Sequence, residues 1–308
     1  MADRLMGEEA PMDPQSITRW LRASGSDLME AKAFRGPSRL ALLRWLRPRI
    51  ASAEQEISCG FAQNVSGFVV VLAERTGRLR LTDRSAVEVS LSTGYRRPSV
   101  VLRDGLGEVR LLPVHGGRAE IPSNLVHPVT IQLVAVGPSG PQPLAMRTID
   151  DGPGVASASS DLAEAWTPPS MPRVSEQTDE IYRWLASFRD VRETSGLRRN
   201  SLLERAAGSH AAAVCAEGRA RHYFVDGPED RVSSQGLTAR HVGEVVARAP
   251  SASQCLEALV RSPSHYVALV DVRFTDVGVG LHREQSESGT EMTCVVILFA
   301  AWPRYTGY

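Results

Sequence analysis

The side chains that could act as thiol nucleophiles or metal ligands include four cysteines. They are Cys59, Cys215, Cys255 and Cys294, and no two have the short C-x-x-C spacing of zinc and redox sites. A cysteine nucleophile needs a lowered pKa and a positioned base, and no local signature supplies either. Four cysteines allow three pairings. A Cys215–Cys255 disulfide is one hypothesis, and burial as small apolar residues is the alternative.

Serine hydrolase chemistry has no comparable signature in this chain. The Gly-x-Ser-x-Gly nucleophile elbow is absent. Ser209 and Ser264 each precede a histidine, His210 and His265 respectively. Adjacency in sequence does not create the geometry of a catalytic triad. The sequence therefore favours a non-catalytic function over covalent hydrolysis.

Several short segments follow one another in a recognisable order in the C-terminal part of the chain. They are Gly196–Leu203, Ala206-Ala207 with His210-Ala211, Arg221–Phe224, Gly243–Ala247, Ser262–Tyr266 and Arg273–Gly280. Each match alone is weak, but the order over about 85 residues is specific. Over roughly residues 174–303 the series resembles the bacterial, SCP-like extracellular branch of the CAP superfamily, which includes cysteine-rich secretory, antigen 5 and pathogenesis-related proteins.

The resemblance implies a three-layer α-β-α sandwich with a groove lined by His and Glu. Carried over by position, the groove residues are His222, Glu244 and His265. Many members have two His and two Glu there, which can bind a divalent metal. Three groups can be placed in this chain, and whether Glu291 or Thr293 supplies a fourth is left open by the sequence. Two imidazoles and a carboxylate suit a metal such as zinc. They could equally hold one another by hydrogen bonds.

The chain departs from the family pattern at several positions of this region. Val245 stands in place of an asparagine, and Tyr266 and Ala268 replace an arginine and an asparagine. The terminal strand, which contains Val296, lacks the usual Thr-Gln pair. These departures predict a groove with fewer polar groups at its rim. His210, flanked by alanines on a predicted helix, is expected to be a packed or capping histidine and not a ligand.

The elements that must position these groups follow from periodicity. Apolar residues at helical spacing predict a helix over Leu40–Ile50, and eight short strands with turn signals between them predict an antiparallel β-sandwich. Helices followed by strands predict an α+β domain after a Gly-, Pro- and Ser-rich linker. The predicted organisation is a disordered tail at 1–14, a helical segment at 15–57, the β-sandwich at 58–150, the linker at 151–173 and the CAP-like domain at 174–308.

Composition narrows the function classes. The 308 residues carry 35 basic and 35 acidic side chains, so the chain lacks the basic excess of a general nucleic-acid binder. The longest apolar runs, Phe68–Ala73 and Cys294–Trp302, are too short to form a transmembrane segment. The first residues lack the apolar core of a signal peptide, so the protein is either cytosolic or has lost an export signal. The resemblance favours an extracellular, periplasmic or outer-membrane-associated location.

Three functions compete on these observations. The leading hypothesis is a non-enzymatic extracellular or envelope binding module whose groove engages a lipid, a glycan or a protein. The second is a metal-dependent hydrolase or peptidase that uses His222, Glu244 and His265 with a zinc ion. The third is a degenerate CAP domain kept as a scaffold within an envelope protein complex.

Overall fold

The chain divides into two compact units, Met1–Leu162 and Ala163–Tyr308. The computed structural model describes residues 17, 26–29, 31–51, 53, 55–64, 67–83, 85–138, 140–149, 177–285 and 291–303. The predicted tail at 1–14 and the predicted linker at 151–173 lie outside the described residues. So does most of 16–23, where apolar residues at helical spacing predict a further helix. Among the described residues, no helix combines the length and the apolar character needed to cross a membrane.

Antiparallel strands dominate the first unit. Its elements are β1 (Lys32–Gly36), α1 (Arg39–Ala51), β2 (Glu56–Asn64), β3 (Gly67–Arg75), β4 (Gly77–Asp83), β5 (Ala86–Leu91), β6 (Arg96–Arg103), β7 (Val109–Pro113), β8 (Arg118–Glu120), β9 (Val129–Gly137) and β10 (Gly140–Ile149). The sheets have the strand orders β1-β3-β2, β4-β5-β8 and β10-β9-β6-β7. The last two share one apolar core, since alternating side chains from both point into it.

The eight strands predicted from residue 68 to residue 149 are all present, and α1 matches the predicted helix. Two strands lie where none was predicted. β1 falls within the segment predicted to be helical, and β2 begins in that segment and extends into the start of the region predicted to be a β-sandwich. Their presence follows from β3, which is apolar over Phe68–Ala73 and is paired on both edges by β1 and β2. The backbone N–H and C=O groups along both edges of a buried strand need hydrogen-bonding partners, and β1 and β2 supply them.

The second unit is α+β, as predicted. Its elements are α2 (Gln177–Asp190), β11 (Arg198–Arg199), α3 (Ser201–Glu217), α4 (Pro228–Ser234), β12 (His241–Ala249), α5 (Ala252–Arg261), α6 (Pro263–Val270), β13 (Asp276–Gln285) and β14 (Glu291–Ala301). The sheet has the order β11-β13-β14-β12. β11 pairs parallel with β13, and the other pairs are antiparallel.

Helix α3 packs closely on one face of this sheet. Asn200 caps its first turn by accepting from the backbone N–H groups of Leu202 and Leu203. On β13, Gly278 and Gly280 leave room for the helix backbone, because a Cβ atom at either position would lie 2.2 Å from α3. The two glycines of the Val-Gly-Val-Gly segment therefore set the distance between helix and sheet.

The disulfide joins Cys215 on α3 to Cys294 on β14, so the predicted Cys215–Cys255 pair is wrong. Cys294 belongs to the core that includes the buried face of α3. Cys255 lies on α5 and approaches the carbonyl oxygen of Thr293 at 3.3 Å. Thr293 is next to Cys294 on the strand, so its side chain points to the other face. Cys255 therefore remains a buried free thiol, and burial raises its pKa to about 12.

A buried arginine fixes α6 against α2. The side chain of Arg189 is almost fully buried and donates to the carbonyl oxygens of Ser195 at 2.9 Å and Leu269 at 2.8 Å. A further bond reaches the carbonyl oxygen of Asp271 at 3.2 Å. A buried guanidinium needs this many acceptors, since its charge is costly to desolvate. The contacts fix the end of the helix that carries His265.

Candidate functional site

The site is built around Glu244, which lies in the middle of the edge strand β12. Its neighbours on the same face, Val242 and Val246, belong to the core shared with α3. The side chain of Glu244 is only 1% exposed. Burying a carboxylate is unfavourable unless hydrogen bonds and opposite charge compensate for the lost water.

Two side chains provide that compensation. His222, in the loop after α3, donates from Nδ1 to Oε1 of Glu244 at 2.9 Å. Arg231, on α4, donates from Nη2 to Oε2 at 2.6 Å. The arginine also donates to the carbonyl oxygens of His222 and Asp226, both at 2.9 Å. Each oxygen of Glu244 therefore has its own charged or polar partner.

Arg231 is the functional residue that the sequence analysis missed. Helix α4 begins at Pro228, and the Asp230 side chain accepts from the backbone N–H of Gly227. The Gly-Pro-Glu-Asp start is a helix N-terminus signal that was available in the sequence. It would have placed Arg231 one turn into a helix, directed toward the neighbouring strand.

His210 closes the inner side of the cluster. It is buried on α3, and its Nε2 lies 3.7 Å from Oε1 of Glu244. The same nitrogen lies 2.8 Å from the carbonyl oxygen of Arg221, which makes it the protonated nitrogen of the ring. The ring also packs against Phe224, with 5.3 Å between centroids. Burial lowers the pKa of His210, which fits the packed histidine that its position predicted.

His265 completes the group from the side of α6. Its ring centroid lies 6.1 Å from that of His222. Burial, and secondarily the neighbouring His222, lowers the pKa of His265 to about 3. His265 is therefore neutral near pH 7. Because Nδ1 of His222 donates to Glu244, the other nitrogen of a neutral His222 ring carries a lone pair.

The structure brings His222 and Glu244 into contact and places His265 beside them, whereas the two candidates for a fourth group on β14 have other surroundings. Glu291 is exposed and pairs with Arg283 at 3.0 Å. Thr293 is fully buried and lies opposite Ala249, five residues along β12 from Glu244.

Two of the apolar departures from the family pattern have a structural explanation that differs from the one predicted. Val245 and Val296 are completely buried in the sheet. The two valines are therefore core residues, and they do not make the rim of the groove less polar. Ala268 and Tyr266 lie on α6, and Tyr266 packs edge-on against Phe188 at 5.8 Å between centroids.

The residues of the cluster do not fit a divalent metal. Within the described residues, no group of three or more His, Cys, Asp or Glu side chains is placed to hold one. Oε2 of Glu244 is already bound by the guanidinium of Arg231. The positive charge of Arg231 repels a metal cation at Glu244. A metal site would need a neutral or anionic ligand in place of this arginine.

Comparisons with known proteins gave structural matches only. No family model matches the sequence, and no curated protein does. The chain is similar to an outer surface protein of Borrelia burgdorferi, with 19% identity, a TM-score of 0.38, and 44% of this chain and 98% of that one covered. It is also similar to an extracellular SCP-domain protein of Bacillus anthracis, with 13% identity, a TM-score of 0.35, and 73% and 81% covered.

A third similar structure is a cysteine-rich secretory protein of Staphylococcus aureus, with 10% identity, a TM-score of 0.34, and 84% of this chain and 91% of that one covered. At these identities and scores the matches say nothing about activity.

Proposed function

We propose that the second unit is an exported CAP-like module that binds a ligand beside His222 and His265 and does not catalyse a reaction. The observation that carries the proposal is that both oxygens of Glu244 are occupied, one by His222 and one by Arg231. A carboxylate held in this way orders its surroundings, and with its side chain only 1% exposed it offers almost no surface to a substrate.

The same geometry argues against Glu244 as a general base. A general base must lie within hydrogen-bonding reach of the proton that it removes, and Glu244 is enclosed by its own partners. Metal activation of water has no support, because the guanidinium of Arg231 binds Oε2 of Glu244 and its positive charge opposes a cation there. What remains open to a ligand is the uncommitted nitrogen of His222 and the half-buried ring of His265, and both are hydrogen-bonding groups.

The disulfide supports an extracellular or envelope location. Cys215 and Cys294 are both buried in the core of the second unit and are bonded to each other. Disulfides form and persist in oxidising compartments and are rare in reducing ones. That location agrees with the descriptions of the three similar proteins above.

A ligand screen tests the binding proposal. The full chain is mixed with lipid, glycan and envelope-protein fractions, and its thermal unfolding is followed. We expect a ligand that raises the Tm of the second unit and loses its effect in the His222→Ala/His265→Ala variant. The matched control is His115→Ala/His282→Ala, which removes two exposed histidines from elsewhere. A ligand whose effect survives the first variant binds at another site and overturns the proposal.

Measuring the zinc content of the protein distinguishes a binding module from a metal-dependent hydrolase. We expect no stoichiometric zinc in purified protein and no heat of zinc binding that depends on His222 and His265. One tightly bound zinc per chain, together with turnover of an ester or peptide that both histidines support, would reverse the assignment. A scaffold function would instead appear as a stable envelope complex that survives the His222→Ala/His265→Ala substitution.

A further inference from the structure

The charges of the chain are unevenly distributed. Residues 31–53 contain Lys32 and five arginines and no acidic residue. The chain as a whole has equal numbers of acidic and basic residues, so the remainder has an acidic excess of six. The basic segment covers β1 and helix α1 of the first unit. It is a local cation-rich surface on an otherwise neutral to acidic protein.

One face of α1 is used by the protein itself. Leu42 is buried, and Trp45 and Leu46 pack with it against apolar residues of the β1-β3-β2 sheet. Trp45 contacts Phe34 of β1, with 5.6 Å between ring centroids. Arg49 lies over the Trp45 ring at 4.5 Å. The helix is thus anchored by this inner face, and its other face does not contribute to the core.

The outer face of α1 is apolar as well as basic. Leu40 is 59% exposed, Leu43 is 38% exposed and Ile50 is 54% exposed. With Arg47 they follow one another at spacings of three, four and three residues, which places them on one side of the helix. Arg39 and Arg44 are exposed too. Large exposed apolar side chains grouped on one face indicate an interaction surface.

We propose that the outer face of α1 binds the surface of a lipid bilayer that contains anionic lipids. Guanidinium groups bind headgroup phosphates, while the aliphatic stems of arginine side chains lie along apolar surface. Leucine and isoleucine side chains at the same depth enter the boundary between headgroups and acyl chains. This contact lies on the first unit and does not depend on the function proposed for the second.

The mixture of residues favours a bilayer over other anionic partners. A nucleic acid would use the arginines but would leave Leu40, Leu43 and Ile50 in water, because its backbone offers phosphates and sugars. An acidic protein interface would be expected to use aromatic anchors. The aromatic residues of this segment, Phe34 and Trp45, face the core instead. A bilayer surface accepts both the arginines and the apolar side chains.

Co-sedimentation with vesicles tests the proposal on the full chain. Vesicles of phosphatidylcholine alone are compared with vesicles that contain phosphatidylcholine and phosphatidylglycerol in about equal parts. We expect binding to the mixed vesicles only. Arg44→Glu/Arg47→Glu should lower the partition coefficient by at least about 30-fold, from roughly a fivefold effect per basic residue. Leu40→Ser/Leu43→Ser should weaken binding without a change of charge.

The control makes the same charge change elsewhere. Arg205→Glu/Arg219→Glu reverses two exposed arginines of the second unit and should leave vesicle binding unchanged. Circular dichroism melting shows that each variant is folded. The proposal fails if neutral and anionic vesicles bind equally or not at all, or if the control variant loses as much as Arg44→Glu/Arg47→Glu. It also fails if acidic protein or DNA displaces the vesicles while the two leucine substitutions have no effect.

Discussion

Glu244 and Arg231 decide how stable the polar cluster is. Both side chains are removed from water, and a buried ion pair gains little over an apolar pair of the same shape. Breaking such a pair is much more costly than omitting it, because one charge is left without a partner. The sequence allowed Glu244 to be identified from its Gly-Glu context, but its burial was not evident, since the segment around it was not predicted to be a strand.

Arg231→Leu should destabilise the second unit. The substitution leaves the carboxylate of Glu244 buried with only His222 as a close partner, and we expect a loss of about 3–5 kcal/mol in the free energy of unfolding. Urea denaturation measures it. Arg219→Leu, at an exposed position, should change the value by less than about 0.5 kcal/mol. Equal stability of the two variants would show that Arg231 does not hold Glu244.

His265 gives the protein a defined dependence on pH. Its pKa falls from an unfolded value of 6.5 to about 3 on folding, so the unfolded chain binds the proton more tightly between these values. The contribution of His265 is therefore complete above pH 6.5 and is lost as the pH falls below it. Between pH 7 and pH 5 the wild type should lose up to about 2 kcal/mol more stability than His265→Gln.

The wild type and His265→Gln must have the same titrating groups near position 265, so that only His265 differs between them. His222 faces His265 directly, and His210 lies behind Glu244; both remain in every variant. His115→Gln changes an exposed histidine and should follow the wild type at each pH. If His265→Gln follows it as well, the ring of His265 is open to water and its pKa is near that of the unfolded chain.

Strands and helices were predicted correctly where their apolar residues follow a simple repeating pattern. The strands from 68 to 149 alternate or run continuously apolar, and all were found. β12 was missed because Gly243 and Glu244 interrupt its apolar residues. Helices α4 and α6 are short and begin with proline at Pro228 and Pro263. Neither helix was predicted, because a short helix shows too few turns to establish a period.

The contact between α3 and β13 gives a prediction at this scale. Gly280→Ala places a Cβ atom within 2.2 Å of the backbone at Ala207, and we expect a loss of about 1–3 kcal/mol from overpacking. Gly208→Ala, on the adjoining turn of α3, meets no atom within 4 Å and should be stabilising by up to about 1 kcal/mol. Denaturant unfolding of both variants tests the pair, and a neutral Gly280→Ala would mean that α3 can move away from the sheet.

The whole molecule has two units with separate cores, Met1–Leu162 and Ala163–Tyr308. The division between Leu162 and Ala163 falls within 151–173, the stretch whose Gly-, Pro-, Ser- and Ala-rich composition predicts a linker. The function of the first unit was not predicted, since its strands carry no specific motif. The outer face of α1 was recognised from the structure, which shows that its apolar side chains are exposed.

Reduction of the disulfide should affect one unit only. Cys215 and Cys294 both lie in the second unit and are separated by 79 residues, so we expect a reductant to lower the stability of that unit by about 2–5 kcal/mol. The first unit should unfold at the same denaturant concentration with and without reductant. Cys215→Ala/Cys294→Ala should abolish the response, and Cys59→Ser should leave it intact. A shift of both transitions would show that the units do not unfold independently.

The hydrogen bond between His222 and Glu244 restricts what can bind beside it. Because Nδ1 is committed to the carboxylate, a neutral His222 offers an acceptor and no donor to an incoming molecule. A guest that meets this nitrogen must therefore bring the proton itself, as the hydroxyl of a sugar or sterol or the amide of a peptide does. An ionised carboxylate or a sulfate ester has no proton to give to the lone pair of a neutral ring. In that protonation state the nitrogen therefore favours alcohols and amides over anions.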